Sequence, residues 1–582
     1  MVALALCLSR RYASMAQWGI CWAVLFGALA CGAPARQAGS TGDGPTGRAG
    51  APVAIKTLTI GALDGVKSYG SFEYPGGGLA SLSEIGSNGL VTDGVAGGLE
   101  PRLATALPSF DDNTIKIFPD GRMQTTWKLR DNVLWHDGVP FTADDIVFSA
   151  EIGRDPIGQS GTTYRFIESV DAPDPHTAVI NWKTTYFKPL ELPLAELWPY
   201  PKHLLEESYR SGDTAAFQSL PYFTSAYVHL GPFRLIDWGM GEEQVFERFD
   251  RYFRGPPRVD RVIIRTIPDP NTLYANLKAR AVDIAPEKTM PSDLSLSLRD
   301  EWQRSSGGVV RQRQENWRYL LVQLNSEWAR PVEVAEDIRV RRGLYAAIDL
   351  EALRAFALPG VPDTNADSFM YQSDPRAPTV GKPFARYRHD PAMAMQELAN
   401  AGWRSVDGRV INAAGEPVQL SLRGSPIDTK EVAVIAQYWR TLGLAVTEEV
   451  VPPARQQDRE YRAKFASFEI QSREPGDHIV GNFDSRRRPT PDNSYVGSNP
   501  TSYINPAMDR LIDRLSGTLD EGQQALILKD MGETLAADLP VLPTYFRVQM
   551  AAVISGVRAL DDYPGMTQPR ALARNAYLWD RD

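Results

Sequence analysis

Apolar and polar positions first settle into a rhythm at Ala54, where Ala-Ile-Lys-Thr-Leu-Thr-Ile-Gly alternates with the period of a half-buried strand. Residues 62–98 are Gly-rich and carry no clear period. Beyond Thr125 the signals sharpen. Residues 126–130 read as a strand, Asp137-Gly138 as a turn, and Thr142 and Asp145 have capping-box spacing ahead of an apolar helix. In that position Asp145 is a helix cap, not a catalytic acid. Strands are predicted at 177–182, 244–248, 261–265 and 319–324. Asp337 precedes a helix with Val340, Leu344, Ala347 and Ile348 on one face. Asp390-Pro391 and Asn505-Pro506 each pair an N-cap residue with Pro at the first helical position, and Gly402 supplies a left-handed stop. Strands and helices alternate throughout without an internal repeat, so the class is α/β or α+β with several lobes.

Length and composition then narrow the picture. A chain of 582 residues exceeds one hydrophobic core and predicts two to four units. A net charge of -9 argues against duplex nucleic acid as a partner, since phosphate binding needs a basic surface. Arg10 and Arg11 precede an apolar run, 18–30, too short for a comfortable membrane span. That pattern predicts a secretory signal over 1–30. Ala28-Leu29-Ala30-Cys31 permits two readings, a plain small-residue cleavage site or an imperfect lipobox that makes Cys31 the lipidated first residue. Cys7, Cys21 and Cys31 are the three cysteines, so cleavage leaves a lone thiol, whose evident use is acylation. Residues 31–52, rich in Gly, Ala, Ser, Thr and Pro, form a flexible tether.

Catalytic motifs are scarce. There is no G-x-x-x-x-G-K-[ST], no H-E-x-x-H and no G-x-S-x-G, and the six His are dispersed. Neither a metal nor a cofactor is expected. The run Arg486-Arg487-Arg488 reads as a solvated loop in preference to an anion site.

One stretch carries a resemblance. Trp127-Lys-Leu-Arg-Asp-Asn-Val-Leu-Trp135-His-Asp137-Gly138-Val-Pro140-Phe141-Thr142-Ala143-Asp144-Asp145-Ile-Val-Phe-Ser resembles the hallmark of the family 5 extracellular solute-binding proteins, the oligopeptide, dipeptide and nickel receptors of ABC importers. Further segments match in the family's order: Pro101-Arg-Leu103-Ala104, Gly231-Pro232-Phe233 through Trp238, Asp250-Arg-Tyr252-Phe253 with Pro256-Pro257, Asp337 through Asp349, Ala401-Gly402-Trp403, and Asp538-Leu539-Pro540. Two positions depart from it. Arg280-Ala281-Val282-Asp283 stands where a G-E-x-D is usual, and Gly343 replaces an Ala, an exchange expected to cost about 0.5–1 kcal/mol in a helix.

The resemblance implies an α/β, type II periplasmic-binding-protein-like fold with two large lobes, an inserted third subdomain and a hinge. By analogy, 53–88 with 225–300 and 545–582 build lobe I, 89–224 the inserted subdomain, and 301–544 lobe II. It implies a substrate-binding lipoprotein of an ABC importer, no enzyme, whose lobes close over a small solute and present it to the permease. Exported and lipid-anchored at the outer face of the cell membrane or in the periplasm, it is expected to be monomeric. A peptide is the default ligand, with a metal chelate or an oligosaccharide open. A secreted peptide- or glycan-acting hydrolase and a signalling accessory receptor remain alternative readings.

For the ligand site the resemblance implies Tyr69 and Tyr74 in a first ligand loop and Tyr164 from the inserted subdomain. It implies Phe468, Gln471, Ser472 and Arg473 on a strand facing the cleft, and Tyr545 and Arg547 on a late strand at its hinge side. Gln471 or Ser472 stands where peptide receptors carry an Asp for a free ammonium, which points to an anionic or neutral ligand.

Overall fold

The computed structural model describes residues 55–65, 68–69, 79–94, 98–155, 162–191, 197–239, 242–362, 364–560 and 572–582. The expected lipidation site Cys31, the signal and tether segments and Tyr74 lie outside the described residues.

Two long antiparallel strands, Gly308–Val322 and Val541–Ile554, form the spine of a ten-stranded mixed sheet. On one side of them lie Phe468–Arg473, Gln419–Gly424 and Ala445–Val450. On the other, in sheet order, lie Ile284–Ala285, Thr57–Ala62, Arg261–Thr266, Glu243–Arg248 and Phe233–Trp238. Each long strand therefore serves both halves of the sheet. One end of Gly308–Val322 pairs through Gly308↔Ile554, and its other end carries Phe468–Arg473 on the opposite edge.

Separate cores follow from this layout. One apolar cluster gathers Trp317, Leu320, Leu344, Trp403, Trp439, Phe468 and Leu535, all fully buried. A second packs Trp127, Trp135 and Trp182 against the helix Ala143–Arg154 and a four-stranded antiparallel sheet within residues 115–182. A third joins Leu58 and Ile60 to Phe233, Val262 and Trp579.

Local chemistry explains most element boundaries. Thr142 and Asp145 form the expected reciprocal capping box, with the Thr142 N–H donating to Asp145 Oδ2 at 2.9 Å. Asp337, Asp390 and Asn505 accept from backbone N–H groups at the starts of Ile338–Ala346, Pro391–Asn400 and Pro506–Ser516. Gly402, at φ 90°, ends the second of these helices. Two strands differ from expectation. Residues 126–130 give way to Met123–Lys128, and the strand expected at 319–324 is the far end of Gly308–Val322. Arg280 occupies left-handed backbone at φ 58°, where glycine is favoured, and its guanidinium donates to the carbonyl and the hydroxyl of Ser555.

Gly343 requires a correction. As an isolated helix residue it is a loss relative to Ala. In the fold, a Cβ there would lie 2.9 Å from the Ala394 carbonyl oxygen and 2.9 Å from Leu398 Cγ. Helices Ile338–Ala346 and Pro391–Asn400 approach that closely because this side chain is absent. Gly343→Ala is therefore expected to destabilise the protein by about 1–3 kcal/mol, the usual penalty for overpacking. Urea unfolding measures it, and a variant as stable as wild type would show that propensity outweighs the close approach.

Candidate functional site

The strand Phe468–Arg473 determines where the sequence-predicted ligand residues go. Successive strand side chains point to opposite faces. Its register places Gln471 opposite Tyr319 and Glu469 opposite Leu321. Gln471, Glu469 and Arg473 thus share one face, where with Tyr319 they line a cavity of about 220 Å³. Ser472 falls on the other face and accepts from Arg318 Nη1 at 3.1 Å. There Arg318 also binds Asp428 Oδ1 at 2.6 Å and Glu431 Oε2 at 2.9 Å, with Tyr545 bonded to Glu431. The short string Gln471-Ser472-Arg473 is split between an open pocket and a buried ion network.

The aromatic candidates sit in cores. Phe468 is fully buried with its ring 4.9 Å from that of Trp439. Tyr164 packs so tightly over Gly153 that a Cβ there would lie 2.2 Å from its ring. Tyr69 stacks on Tyr227 at 4.9 Å and meets Trp238 edge-on at 5.1 Å; burial raises its hydroxyl pKa. Tyr545 is buried, and Arg547 is half-buried on the same strand. None of these five residues lines the 220 Å³ cavity.

A larger cavity of about 540 Å³ opens beyond the end of the same strand, at Glu474. One wall comes from residues 93–191, including Phe110 and Phe187, and the other from residues 371–524, including Tyr371 and Arg376. Lys188 Nζ lies 2.7 Å from Asp477 Oδ1 across these walls, and Arg376 Nη1 lies 2.9 Å from Asp477 Oδ2. Gln524 extends the link, accepting from Arg376 at 3.0 Å. Burial alone would lower the Lys188 pKa, but the carboxylates of Asp477 and Glu191 outweigh it and raise the group, so it stays cationic. Sequence reasoning missed Lys188, Arg376, Arg459 and Arg462. Lys188 sits in Tyr186-Phe187-Lys188-Pro189, which carries no local signal of a partner at Asp477.

Other titratable groups are structural. His136 Nδ1 accepts from the His229 N–H at 3.3 Å while its Nε2 meets the Gly231 carbonyl at 3.0 Å, which fixes a neutral ring. Burial, above all, lowers its pKa to about 4. Arg486 is tied to Asp484 and Asp513, each at 2.8 Å. Among the described residues no cluster of three or more His, Cys, Asp or Glu side chains is arranged to hold a metal ion, and no helix is long and apolar enough to cross a membrane.

Comparison with known proteins places this architecture. The model of bacterial extracellular solute-binding proteins, family 5 Middle, matches residues 98–472, more than half of the chain. The oligopeptide-binding protein AppA of Bacillus subtilis is 24% identical over 344 residues, a match covering 57% of this chain and 59% of that relative's length. The solved structure of B. subtilis AppA in complex with a nonapeptide superposes with a TM-score of 0.64 at 19% identity, over 90% of this chain and 99% of that one. NikZ from Campylobacter jejuni in complex with Ni(L-His) gives 0.66 at 19% identity, over 91% and 100%. These likenesses show the fold, that of a type II periplasmic binding protein with its mixed central sheet. The chain belongs to the family 5 bacterial extracellular solute-binding proteins.

Proposed function

We propose that this protein is the substrate-binding lipoprotein of an ABC importer. It captures a small solute, most readily a peptide, and hands it to the membrane permease without chemical change. The observation that carries this reading is the 540 Å³ cavity, walled by residues 93–191 on one side and 371–524 on the other and bridged by Lys188–Asp477. A cavity of that size fits a small ligand. Walls drawn from distant parts of the chain allow closure, and contacts made only in the closed form tie it to occupancy. The names of relatives support the class of ligand: AppA binds oligopeptides, and other relatives carry the name peptide-binding protein. In this reading 53–88, 225–300 and 545–582 make lobe I, 89–224 the inserted subdomain and 301–544 lobe II. Export and acylation at Cys31 would hold a monomer at the outer face of the cell membrane or in the periplasm.

Native mass spectrometry of protein purified without denaturant tests the proposal. The expected result is one small molecule per chain, recovered unchanged. Stripping it should raise the radius of gyration in X-ray scattering, and returning it should reverse that. A chain that carries nothing and keeps one scattering curve in peptide mixtures, or that converts its ligand, would overturn the reading.

A further inference from the structure

Resting on that reading, we infer that the 220 Å³ cavity receives an anionic group of the captured solute, a carboxylate or another oxyanion, gripped by Arg459 and Arg473. The argument starts from the one carboxylate in the lining, Glu469, which is 1% exposed. It is already saturated. Arg423 Nε donates to Glu469 Oε2 at 2.6 Å, Arg462 forms an ion pair with Oε1, and the Gln471 amide donates to that same oxygen. Arg423 is fixed in turn by the carbonyls of Tyr461 and Arg462, both at 3.0 Å, with its guanidinium over the Tyr461 ring. A carboxylate with three donors has little left to offer a cationic ligand.

The remaining charge is positive. Two guanidinium groups, Arg423 and Arg462, face the single Glu469 charge, which leaves a surplus of one. Arg459 and Arg473 line the same pocket, and neither has a carboxylate within ion-pair distance among the described residues. Arg473 lines this pocket beside the buried Tyr319, which sits on the neighbouring strand. Guanidinium forks match the geometry of carboxylate and phosphate oxygens. The surrounding donors, such as the amides of Gln456, Gln457 and Asn482, suit an oxyanion as well. Arg459 and Arg473 are themselves exposed, and like charges lining a concave site focus their field there more than the same groups on a flat surface.

The test uses succinate and inorganic phosphate as probes on the intact protein, with Arg473→Ala, the Arg459→Ala/Arg473→Ala pair, and Arg473→Lys. Without added anion all variants should melt with wild type, because neither arginine holds a structural carboxylate. Millimolar succinate or phosphate should raise the wild-type thermal midpoint and leave the double variant unmoved. Calorimetry with the solute recovered from the native protein should show about a 10–100-fold loss in Arg473→Ala, the range for removing a hydrogen bond to a charged group, with partial recovery in Arg473→Lys. Equal anion shifts in wild type and double variant, no shift in either, or a recovered solute without an anionic group would each overturn the inference. A neutral or purely cationic recovered solute would do so while leaving the transport reading intact. Anion binding by a chain that retains no solute would do the reverse.

Discussion

Arg318→Met is expected to lower the unfolding free energy by about 3–5 kcal/mol at neutral pH, the penalty for removing one partner of a buried ion network. Arg318 is 2% exposed, and its guanidinium reaches Asp428, Glu431 and Ser472. Methionine keeps much of the length but leaves two carboxylates without their cation. Asp428 has a second duty, since its side chain accepts from the Ser425 N–H and hydroxyl at the turn before the helix Thr429–Thr441.

The pH dependence gives the effect a signature. Burial raises the Asp428 pKa, but Arg318 and Ser425 outweigh it and hold the carboxyl below its ordinary value. A depressed folded pKa contributes stability that is present above the unfolded value, about 3.9, and is lost as pH falls through the folded one. The deficit of the variant should therefore be widest at neutral pH and shrink below about pH 4. Chemical unfolding followed by circular dichroism at both pH values measures this. Arg318→Met combined with Asp428→Asn and Glu431→Gln should recover part of the loss, because the stranded charges are gone. An equal deficit at the two pH values would place the effect in packing.

How much of this was legible beforehand depends on how local each cause is. The starts at Asp337, Asp390 and Asn505, and the Thr142–Asp145 box, need only residues within one helical turn, and the sequence alone places them. The first part of Gly308–Val322 escapes such reading because Arg311-Gln-Arg-Gln-Glu315 has no apolar alternation. It is a strand because Val541–Ile554 supplies its hydrogen bonds across more than two hundred residues. The role of Gly343 escapes local reading for the same reason, since its partners Ala394 and Leu398 lie on another helix. Within the site, a string of neighbours read as one patch resolves into two faces once the strand register is known. Arg473 and Gln471 meet the pocket, while Ser472 turns to Arg318.

Lys188→Met is expected to weaken retention of the native solute and to expand the solute-free protein. Lys188 and Asp477 have side-chain exposures of 10% and 3%, and they bind each other from opposite walls of the 540 Å³ cavity. A charge-assisted contact of this kind contributes about 1.5–3 kcal/mol. If the walls separate on opening, the pair exists in the closed arrangement alone, and its full free energy biases that equilibrium. Asp477 keeps Arg376, which comes from its own wall, so the carboxylate stays compensated and the fold of each wall should survive. Removing the lysine then shifts the open-to-closed ratio by about 10–100-fold, and apparent affinity falls with the closed fraction. X-ray scattering should show a larger radius of gyration for the solute-free variant, restored by saturating solute. Added salt should not mimic the substitution in wild type, because a pair this buried is poorly screened. Matching scattering curves for wild type and variant, with equal calorimetric affinity, would mean that Lys188–Asp477 joins parts of the protein that never move apart.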